Sequence, residues 1–200
     1  MIHASRFPSA LRLASLGKQT AVAQEALALQ PQSWVAHFNT GVYEGEWQGA
    51  PLIGPVGETH PVRQIYSDPG ATEFAATEIL ERCPATSLLL QWFECRIRSA
   101  RFLSLAPGAL IREHRDHALG WEDGQVRVHI PVQTHSDVTF MLAGQRIPLL
   151  EGEAWYLNVN HLHSVQNASP VQRIHLVVDV DTNEWLESVF ERSLQASNEE

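Results

Sequence analysis

The chain has 200 residues, of which 44% are hydrophobic and 18% charged, so it is long and apolar enough for one sizeable core and is neither fibrous nor disordered. Its 14 basic and 23 acidic residues give a net charge of −9, which opposes attraction to nucleic acid or to an anionic membrane surface. Lys18 is the only lysine, which leaves almost no place for chemistry that needs a buried lysine.

Residues 1–30 are predicted to form a helical N-terminal extension, and residues 31–200 a single domain. Residues 20–29 have helical character, and Pro31 stops that helix. No window resembles a spanning helix of about 20 apolar residues, and residues 1–29 lack the apolar run of an export signal. Cys83 and Cys95 form no CxxC pair, which is typical of free thiols in a reducing compartment. We therefore expect a cytoplasmic protein without a membrane segment.

The first half of the domain contains short alternating runs and two apolar helical patterns. Residues 34–38 and 44–53, broken by glycine and proline, predict early strands. Residues 72–82 carry Phe74, Ile79 and Leu80 at helical spacing and end before Pro84, and residues 86–95 predict a second helix.

After Arg98 the pattern changes to short strands separated by turn residues. The predicted strands are residues 100–105, 110–113, 126–132, 138–142, 154–158 and 172–180. Many short strands without intervening helices are typical of a sandwich or a barrel. Asp181 together with Glu184 can cap a last helix, which carries Trp185, Val189 and Phe190.

The densest chemical signal surrounds His114. In an extended strand, residues i and i+2 project from the same face, so His114 and Asp116 can bind one ion together. A second histidine-rich segment, with His161 and His163, follows about 45 residues later. Two histidines and one carboxylate on one face of a metal leave three positions open, as in non-haem Fe(II) oxygenases. A histidine and an aspartate two residues apart also occur by chance, so a solvated charged loop is the alternative.

Two predicted strands each carry an Arg-x-His pattern on one face. Residues 126–132 place Arg127 and His129 opposite an aliphatic face, and residues 172–178 do the same with Arg173 and His175. A double-stranded β-helix with two similar halves would produce such a repeated Arg-x-His pattern. An arginine that faces a barrel interior needs an anion or a buried carboxylate as its partner. A surface ion pair is the alternative for each arginine.

These patterns form part of an ordered set of short motifs. The sequence contains Pro107-Gly108, His114-x-Asp116, Arg127-Val-His129-Ile-Pro131-Val, Gly152-Glu-x-Trp155, His163-Ser-Val-x-Asn167 and Arg173-Ile-His175-Leu-x-x-Asp179. Together they resemble the aspartyl/asparaginyl β-hydroxylase family, which includes bacterial proline hydroxylases and belongs to the Fe(II)/2-oxoglutarate-dependent dioxygenases of the cupin superfamily. The resemblance is close over residues 98–181 and loose in the first half of the chain.

The resemblance implies that His114, Asp116 and His163 hold Fe(II). His161 competes with His163, because strand geometry cannot separate two residues that lie two apart. His163 followed by Asn167 resembles the His-x-x-x-Asn close of the cupin pattern. Some animal members of the family lack the acidic ligand, but Asp116 is present here. We therefore expect the three-ligand site and disfavour a halogenase.

The resemblance also assigns the co-substrate. Arg173, ten residues after His163, would bind the distal carboxylate of 2-oxoglutarate. Arg127 and His129 would lie near its other end or near the substrate, and we expect Arg127 to pair with a substrate carboxylate. The planar fork of an arginine suits a carboxylate better than the point charge of a lysine.

We therefore expect a mainly β protein, a cupin-like jelly roll of the double-stranded β-helix type with flanking α-helices. Its expected activity is Fe(II)/2-oxoglutarate-dependent hydroxylation of an amino-acid side chain, either in a free amino acid or in a peptidyl Asp, Asn or Pro-type residue. Succinate and CO2 would be the co-products and ascorbate would support turnover. The expected partners are that substrate and O2, with no nucleic acid. The alternatives are a cupin-like module that binds a metal or small acid without turnover, and a manganese isomerase with His161 or His117 as fourth ligand.

Overall fold

The computed structural model describes residues 5–65 and 70–197. The strands in this part of the chain are β1 (Ala10–Ser15), β2 (Val35–Ala36), β3 (Tyr43–Glu44), β4 (Trp47–Pro55), β5 (Phe74–Ala76), β6 (Ile97–Leu105), β7 (Leu110–His114), β8 (Gln125–Gln133), β9 (Val138–Leu142), β10 (Gln145–Arg146), β11 (Glu153–Leu157), β12 (His163–Asn167) and β13 (Arg173–Asp181). The helices are α1 (Thr20–Ala28), α2 (Pro61–Ile65), α3 (Glu78–Glu81), α4 (Pro84–Leu90) and α5 (Glu184–Ser197). None of these helices has the length and apolar character needed to cross a membrane.

The strands form two antiparallel sheets. The larger sheet has eight strands in the order β1-β11-β8-β13-β6-β4-β2, with β5 paired to β4. The smaller sheet has five, in the order β10-β9-β12-β7-β3. Apolar residues from both sheets pack against one another, among them Leu103 and Val177 from the larger sheet and Phe140 and Val165 from the smaller one. The predicted jelly-roll fold, mainly β with flanking helices, is confirmed.

The period-2 pattern of β8 and β13 separates two cores, one on each face of the larger sheet. Even-numbered residues of both strands, such as Val128 and Leu176, belong to the core on the outer face. Helices α1, α4 and α5 cover that core with residues that include Val22 and Phe190. Odd-numbered residues face the smaller sheet, and the register pairs Asp179 of β13 with Arg127 of β8. The alternation therefore places charged side chains between the two sheets.

The two terminal helices agree with the sequence prediction except in the cap of the last one. Helix α1 spans Thr20–Ala28, and α5 buries Val189 and Phe190 as expected. The cap of α5 is Asn183, whose Oδ1 accepts the N–H of Leu186 at 2.9 Å. Asp181, the predicted cap, instead accepts a hydrogen bond from Nε of Arg98 at 2.6 Å. The end of β13 thus uses Asp181 as an ion-pair partner rather than a cap.

Three predictions for the first half of the chain need correction. In the segment expected to be helical, Ala10–Ser15 forms β1, which extends the larger sheet by pairing with β11. In residues 72–82, Phe74–Ala76 pairs with β4 as β5, and only Glu78–Glu81 is helical. The second predicted helix, residues 86–95, runs instead over Pro84–Leu90. In the first two segments, pairing with an open sheet edge outweighs local helical spacing. Residues 1–4 of the predicted extension lie outside the described residues.

The fully buried side chain of Asn167 fastens the end of β12. Its Nδ2 donates to the main-chain carbonyls of Leu105 at 2.9 Å, Ala106 at 3.1 Å and Val171 at 2.9 Å. Its Oδ1 accepts the N–H of Ser169 at 3.1 Å and the hydroxyl of the same residue at 2.6 Å. The single side-chain amide of Asn167 therefore provides hydrogen-bond partners for the main chain before β7 and for the main chain before β13.

We expect Asn167→Ala to lower the free energy of unfolding by about 2–4 kcal/mol, because the substitution leaves buried carbonyl groups without a donor. Chemical denaturation followed by fluorescence measures this change. Asn39→Ala, at an exposed position, is the control and should change stability by less than about 0.5 kcal/mol. Equal stabilities of the two variants would contradict the role given to Asn167.

Candidate metal centre

His114 and His163 lie opposite each other in the smaller sheet. His114 ends β7 and His163 begins β12, and the antiparallel register pairs the two residues directly. Their ring centroids are 4.2 Å apart. The ring of Phe140 is parallel to that of His163, with centroids 6.2 Å apart. Strand pairing therefore brings together two histidines that are distant in the sequence.

The main chain fixes which nitrogen of each histidine is available. Nδ1 of His114 lies 2.8 Å from the carbonyl oxygen of Arg112, and Nδ1 of His163 lies 3.1 Å from that of His161. A carbonyl oxygen only accepts, so each Nδ1 carries the hydrogen and donates it. Each Nε2 therefore keeps a lone pair, as a metal-ligating imidazole requires.

Asp116 follows the end of β7 and supplies the third group. Its main-chain N–H donates to the carbonyl oxygen of Val159 at 2.9 Å. Oδ1 of Asp116 lies 3.9 Å from Nε2 of His114, and Oδ2 accepts a short hydrogen bond from Nη1 of Arg127. One ligand atom from each of His114, Asp116 and His163 lies within 4.8 Å of the other two. The three predicted ligands therefore converge on one point.

The electrostatic surroundings keep these ligands in the forms that bind a metal. Burial, with His114 as a neighbour, lowers the pKa of His163 to about 4, so its imidazole is neutral at pH 7. Burial by itself would raise the pKa of Asp116, but the positive charge of Arg127 reverses this effect, and the pKa is lowered overall. At neutral pH, Asp116 is ionised and His163 offers its lone pair.

Hydrogen bonds tie the loop that carries Asp116 to the turn before His163. Asn160, in that turn, accepts the N–H of Leu119 at 3.3 Å and donates from Nδ2 to Asp123 at 2.7 Å. With the main-chain bond to Asp116, these contacts fix the loop against the start of β12. Asn160 is not among the residues predicted from the sequence.

A buried carboxylate lies behind the metal centre. Asp179 is 0% exposed and accepts hydrogen bonds from Nε of Arg127 at 2.7 Å, Nη2 of Arg127 at 3.0 Å and Nη1 of Arg101 at 3.0 Å. Burial would raise the pKa of Asp179, but the two arginines lower it to about 2. The same two carboxylates, Asp179 and Asp116, raise the pKa of Arg127 against the effect of its burial. Asp179 lies on the same face of β13 as Arg173 and His175, because all three occupy odd-numbered positions of the strand. This spacing is the sequence signal that could have identified Asp179.

The contacts of Arg127 differ from those expected of it. All three nitrogens of its guanidinium group bond to Asp116 or Asp179. The family resemblance implies that Arg127 lies near the co-substrate or pairs with a substrate carboxylate. In the structure its guanidinium group instead joins Asp116, the predicted carboxylate ligand, to Asp179 of the larger sheet.

A narrow inner cavity of about 40 Å³ lies beside the three ligands, between the two sheets. Arg173 and His129 line it. Arg173 is 2% exposed, and among the described residues no carboxylate lies within ion-pair distance of it. Burial lowers the pKa of Arg173 to about 9. A buried guanidinium without a counter-ion is costly, so this cavity suits an anion.

Further polar atoms around the inner cavity lack partners in the protein. Nη2 of Arg173 donates to Nδ1 of His175 at 2.7 Å, and Nδ1 of His129 lies 3.3 Å from the same atom. Nε of Arg173, Nε2 of His129, Nε2 of His175 and Nε1 of Trp47 are buried without a hydrogen bond. Burial and the charge of Arg173 hold the pKa of both His129 and His175 well below the usual range, so both imidazoles are neutral. The unpaired atoms fit a polar ligand with several hydrogen-bonding groups.

A second, outer pocket of about 430 Å³ adjoins His114 and Asp116. His114, Asp116, Arg127, Trp47 and Leu103 line both this pocket and the inner cavity. A molecule in either space therefore lies next to the metal centre. Trp47 has no counterpart among the sequence predictions, because glycine and proline interrupt the alternation of β4.

The other histidines named in the sequence analysis lie outside the group of three. His161 and His117 are exposed, and neither belongs to the cluster of converging ligand atoms. Across the described residues, 5–65 and 70–197, this group of three is the cluster of metal-ligating side chains that the structure forms. The fourth protein ligand that a manganese isomerase would need is not among its members.

The profile of the aspartyl/asparaginyl β-hydroxylase family matches residues 18–183 of the 200. The chain belongs to this family. The match extends well into the first half of the chain, where the resemblance of individual motifs is loose.

Solved structures share the fold at low sequence identity. A prolyl-4-hydroxylase from Pseudomonas putida is 14% identical, with a TM-score of 0.51, and the match covers 88% of this chain and 93% of that one. An oxidoreductase of the 2OG-Fe(II) oxygenase family from Burkholderia pseudomallei is also 14% identical with a TM-score of 0.51, over 75% of this chain and 73% of that one. The α-ketoglutarate-dependent epimerase SnoN of nogalamycin biosynthesis is 11% identical, with a TM-score of 0.51 over 86% and 75% of the two chains. At these identities the likeness concerns the fold.

We expect His163→Ala to weaken Fe(II) binding by more than about 100-fold, because it removes one of three ligands. His161→Ala should leave the affinity unchanged, since only the main-chain carbonyl of His161 contacts the centre. Anaerobic titration with Fe(II), or with Co(II) followed by visible absorption, measures both. The reverse result would assign the distal ligand to His161.

We expect Asp179→Asn to lower the free energy of unfolding by about 3–5 kcal/mol, because Arg101 and Arg127 lose a buried counter-charge. Asp137→Asn, at an exposed pair with His135, should cost no more than about 1 kcal/mol. Because the pKa of Asp179 is depressed, its contribution is complete above pH about 4 and is lost as the pH falls toward 2. Between pH 2 and 7, the free energy of unfolding from denaturation curves should therefore depend less on pH in the variant than in the wild type. An unchanged pH dependence would contradict the role given to Asp179.

Proposed function

We propose that the protein is an Fe(II)/2-oxoglutarate-dependent dioxygenase that hydroxylates an amino-acid side chain, in a free amino acid or within a peptide. The observation that carries this proposal is the convergence of His114, Asp116 and His163 beside a cavity in which Arg173 has no carboxylate partner. A site that only binds a metal has no need of a buried, unpaired cation next to it. Membership of the aspartyl/asparaginyl β-hydroxylase family supports the same activity.

The residues present suit the iron. Two imidazoles with available Nε2 atoms and one ionised carboxylate form the facial set typical of non-haem Fe(II). His114, Asp116 and His163 would hold the metal and leave the remaining positions for exogenous ligands. Bound iron, with 2-oxoglutarate and O2, supplies the oxidising power that hydroxylates an unactivated C–H bond, with succinate and CO2 as co-products.

The residues around the inner cavity suit 2-oxoglutarate. The guanidinium group of Arg173 would bind the distal carboxylate, and the unpaired nitrogens of His129 and Trp47 offer further hydrogen-bonding positions. Phe140 and Val165 are apolar walls of the same cavity, and they exclude water from it. Arg127 has a different task, which is to orient the carboxylate of Asp116 through the buried pair with Asp179.

The outer pocket is the place for the substrate. It opens beside His114 and Asp116, so a molecule held there presents a C–H bond next to the metal centre. The chain contributes orientation of the substrate and exclusion of solvent.

The proposal is tested by anaerobic reconstitution with Fe(II), followed by 2-oxoglutarate, O2, ascorbate and a panel of free amino acids and short peptides. Succinate formation and a substrate mass gain of one oxygen atom are the expected results. Tight binding of Fe(II) and 2-oxoglutarate without succinate from any substrate would favour the alternative of a cupin-like binding module.

We expect Arg173→Ala to raise the KM for 2-oxoglutarate by about 30-fold or more, since loss of one partner of a buried charge pair costs about 2–5 kcal/mol. Arg173→Lys should restore the affinity only in part, because an ammonium group cannot form the paired bonds of a guanidinium. Arg146→Ala, an exposed arginine away from both cavities, is the control. Calorimetric titration with 2-oxoglutarate measures the affinities of the same variants without turnover. An unchanged affinity in Arg173→Ala would contradict the assignment of Arg173 to the distal carboxylate.

A further inference from the structure

Two parts of the lining of the outer pocket differ in chemistry, and we call them its two walls. Trp47 of the first and Arg101 of the second lie on β4 and β6, which are neighbouring strands of the larger sheet. On one wall, the rings of His37 and Trp47 stack with centroids 3.4 Å apart and planes at 11°. Phe38, at the same wall, is 59% exposed, and its ring centroid lies 5.0 Å from that of His37. Burial lowers the pKa of His37 to about 4, so the stacked pair is uncharged at neutral pH. This wall offers a flat, apolar surface.

The other wall carries guanidinium groups with unused donors. Nη1 of Arg101 donates to Ser99 at 3.0 Å and to Asp179 at 3.0 Å, and Nε of Arg98 donates to Asp181 at 2.6 Å. Within residues 5–65 and 70–197, no hydrogen bond uses Nη2 of Arg101 or either Nη of Arg98. Both arginines line the pocket. An arginine has five N–H donors, so this wall can still bind an anion.

Arg127, which lines the same pocket, is unsuited to that task. Its Nε, Nη1 and Nη2 are all engaged with Asp116 and Asp179. A substrate anion would have to displace the residue that holds a metal ligand. Arg115 also lines the pocket, but it is exposed and donates from Nη1 to the main-chain carbonyl of Asn160 at 3.0 Å. We therefore assign recognition of an anion inside the pocket to the less exposed Arg98 and Arg101, on β6, and not to the strand that carries Arg127.

We propose that the outer pocket binds a small organic acid whose anionic group pairs with Arg98 and Arg101 and whose apolar, aromatic portion packs against Trp47 and Phe38. The pocket volume of about 430 Å³ lies within the range of roughly 300–1,000 Å³ that small-molecule sites occupy. That this acid is the molecule hydroxylated rests on the proposed function, whereas its binding does not.

The probes are 3-phenylpropionate, its carboxamide and propionate, with calorimetry on the full chain in the presence and absence of Fe(II) and N-oxalylglycine under anaerobic conditions. Under the proposed function, N-oxalylglycine, a dicarboxylate analogue of 2-oxoglutarate, would bind at the metal centre with Arg173 and leave the outer pocket to the probe. We expect 3-phenylpropionate to bind about 10-fold or more tightly than either the carboxamide or propionate. Equal affinities for the acid and its carboxamide would overturn the anion site, and equal affinities for the two acids would overturn the aromatic wall.

Two variants separate the two walls. Arg98→Gln should weaken binding of 3-phenylpropionate about 10-fold and leave the carboxamide unchanged. Phe38→Ala should weaken 3-phenylpropionate about threefold or more and leave propionate unchanged. Arg146→Gln and Leu88→Ala, an exposed arginine and an exposed leucine outside the pocket, are matched controls that should change neither affinity. Wild-type affinity in Arg98→Gln would refute the role of that arginine.

A peptide arm tests the size of the ligand. A blocked tripeptide with a central aspartate should bind more weakly than 3-phenylpropionate, and tighter binding of the peptide would overturn the choice of a small acid. Succinate formation is measured separately. If the protein binds the acid selectively but forms no succinate, the proposed ligand is supported and the oxygenase activity is contradicted. If it forms succinate but shows no preference for the acid, only the proposed ligand is contradicted.

Discussion

The ion pairs of the buried Asp179 carboxylate with Arg101 and Arg127 are the interactions on which the space between the two sheets depends. Asp179 lies on the middle strand of the larger sheet, and the arginines that it neutralises come from the strands on either side of it, β6 and β8. Without it, two guanidinium groups would be desolvated next to each other, which is far more costly than leaving them in water. The same ion pairs continue through Arg127 to Asp116, the proposed carboxylate ligand in the loop after β7. The charge of Asp179 therefore both neutralises the buried arginines and helps to position Asp116.

Both faces of the larger sheet contribute to the chemistry in different ways. Its outer face is an ordinary apolar core covered by helices, and it fixes the position of β8 and β13. Its inner face carries the polar side chains that surround the inner cavity and the outer pocket. Because successive side chains of a strand point to opposite faces, β8 and β13 each supply packing residues to one face and polar residues to the other. A one-residue slip of β13 against β8 would exchange the two sets, so the aliphatic positions enforce the register that the functional positions need.

The sequence was most informative where burial acts on every second residue. The alternation of β8 and β13 predicted both strands and the faces on which Arg127, His129 and Arg173 lie. The His114-x-Asp116 pair predicted two members of the group of three side chains that converges in the structure. The partners of those side chains could not be predicted, because pairing across strands depends on register. Asp179 and Arg127 are 52 residues apart in the chain and opposite each other in the sheet. The strands β1 and β5 could not be predicted for a similar reason. Their extended conformation depends on pairing with β11 and β4, which the local sequence does not encode.

The unpaired cation in the inner cavity has a consequence for the lifetime of the protein. A fold that buries Arg173 without a counter-ion is less stable than the same fold with an anion bound there. A ligand that binds only the folded state, at 100 times its dissociation constant, adds about 2.7 kcal/mol to the free energy of unfolding. The population of unfolded chains, and with it degradation by cellular proteases, then falls as the concentration of that anion rises. For an anion that binds beside Arg173, the abundance of the protein would therefore be coupled to the supply of that anion.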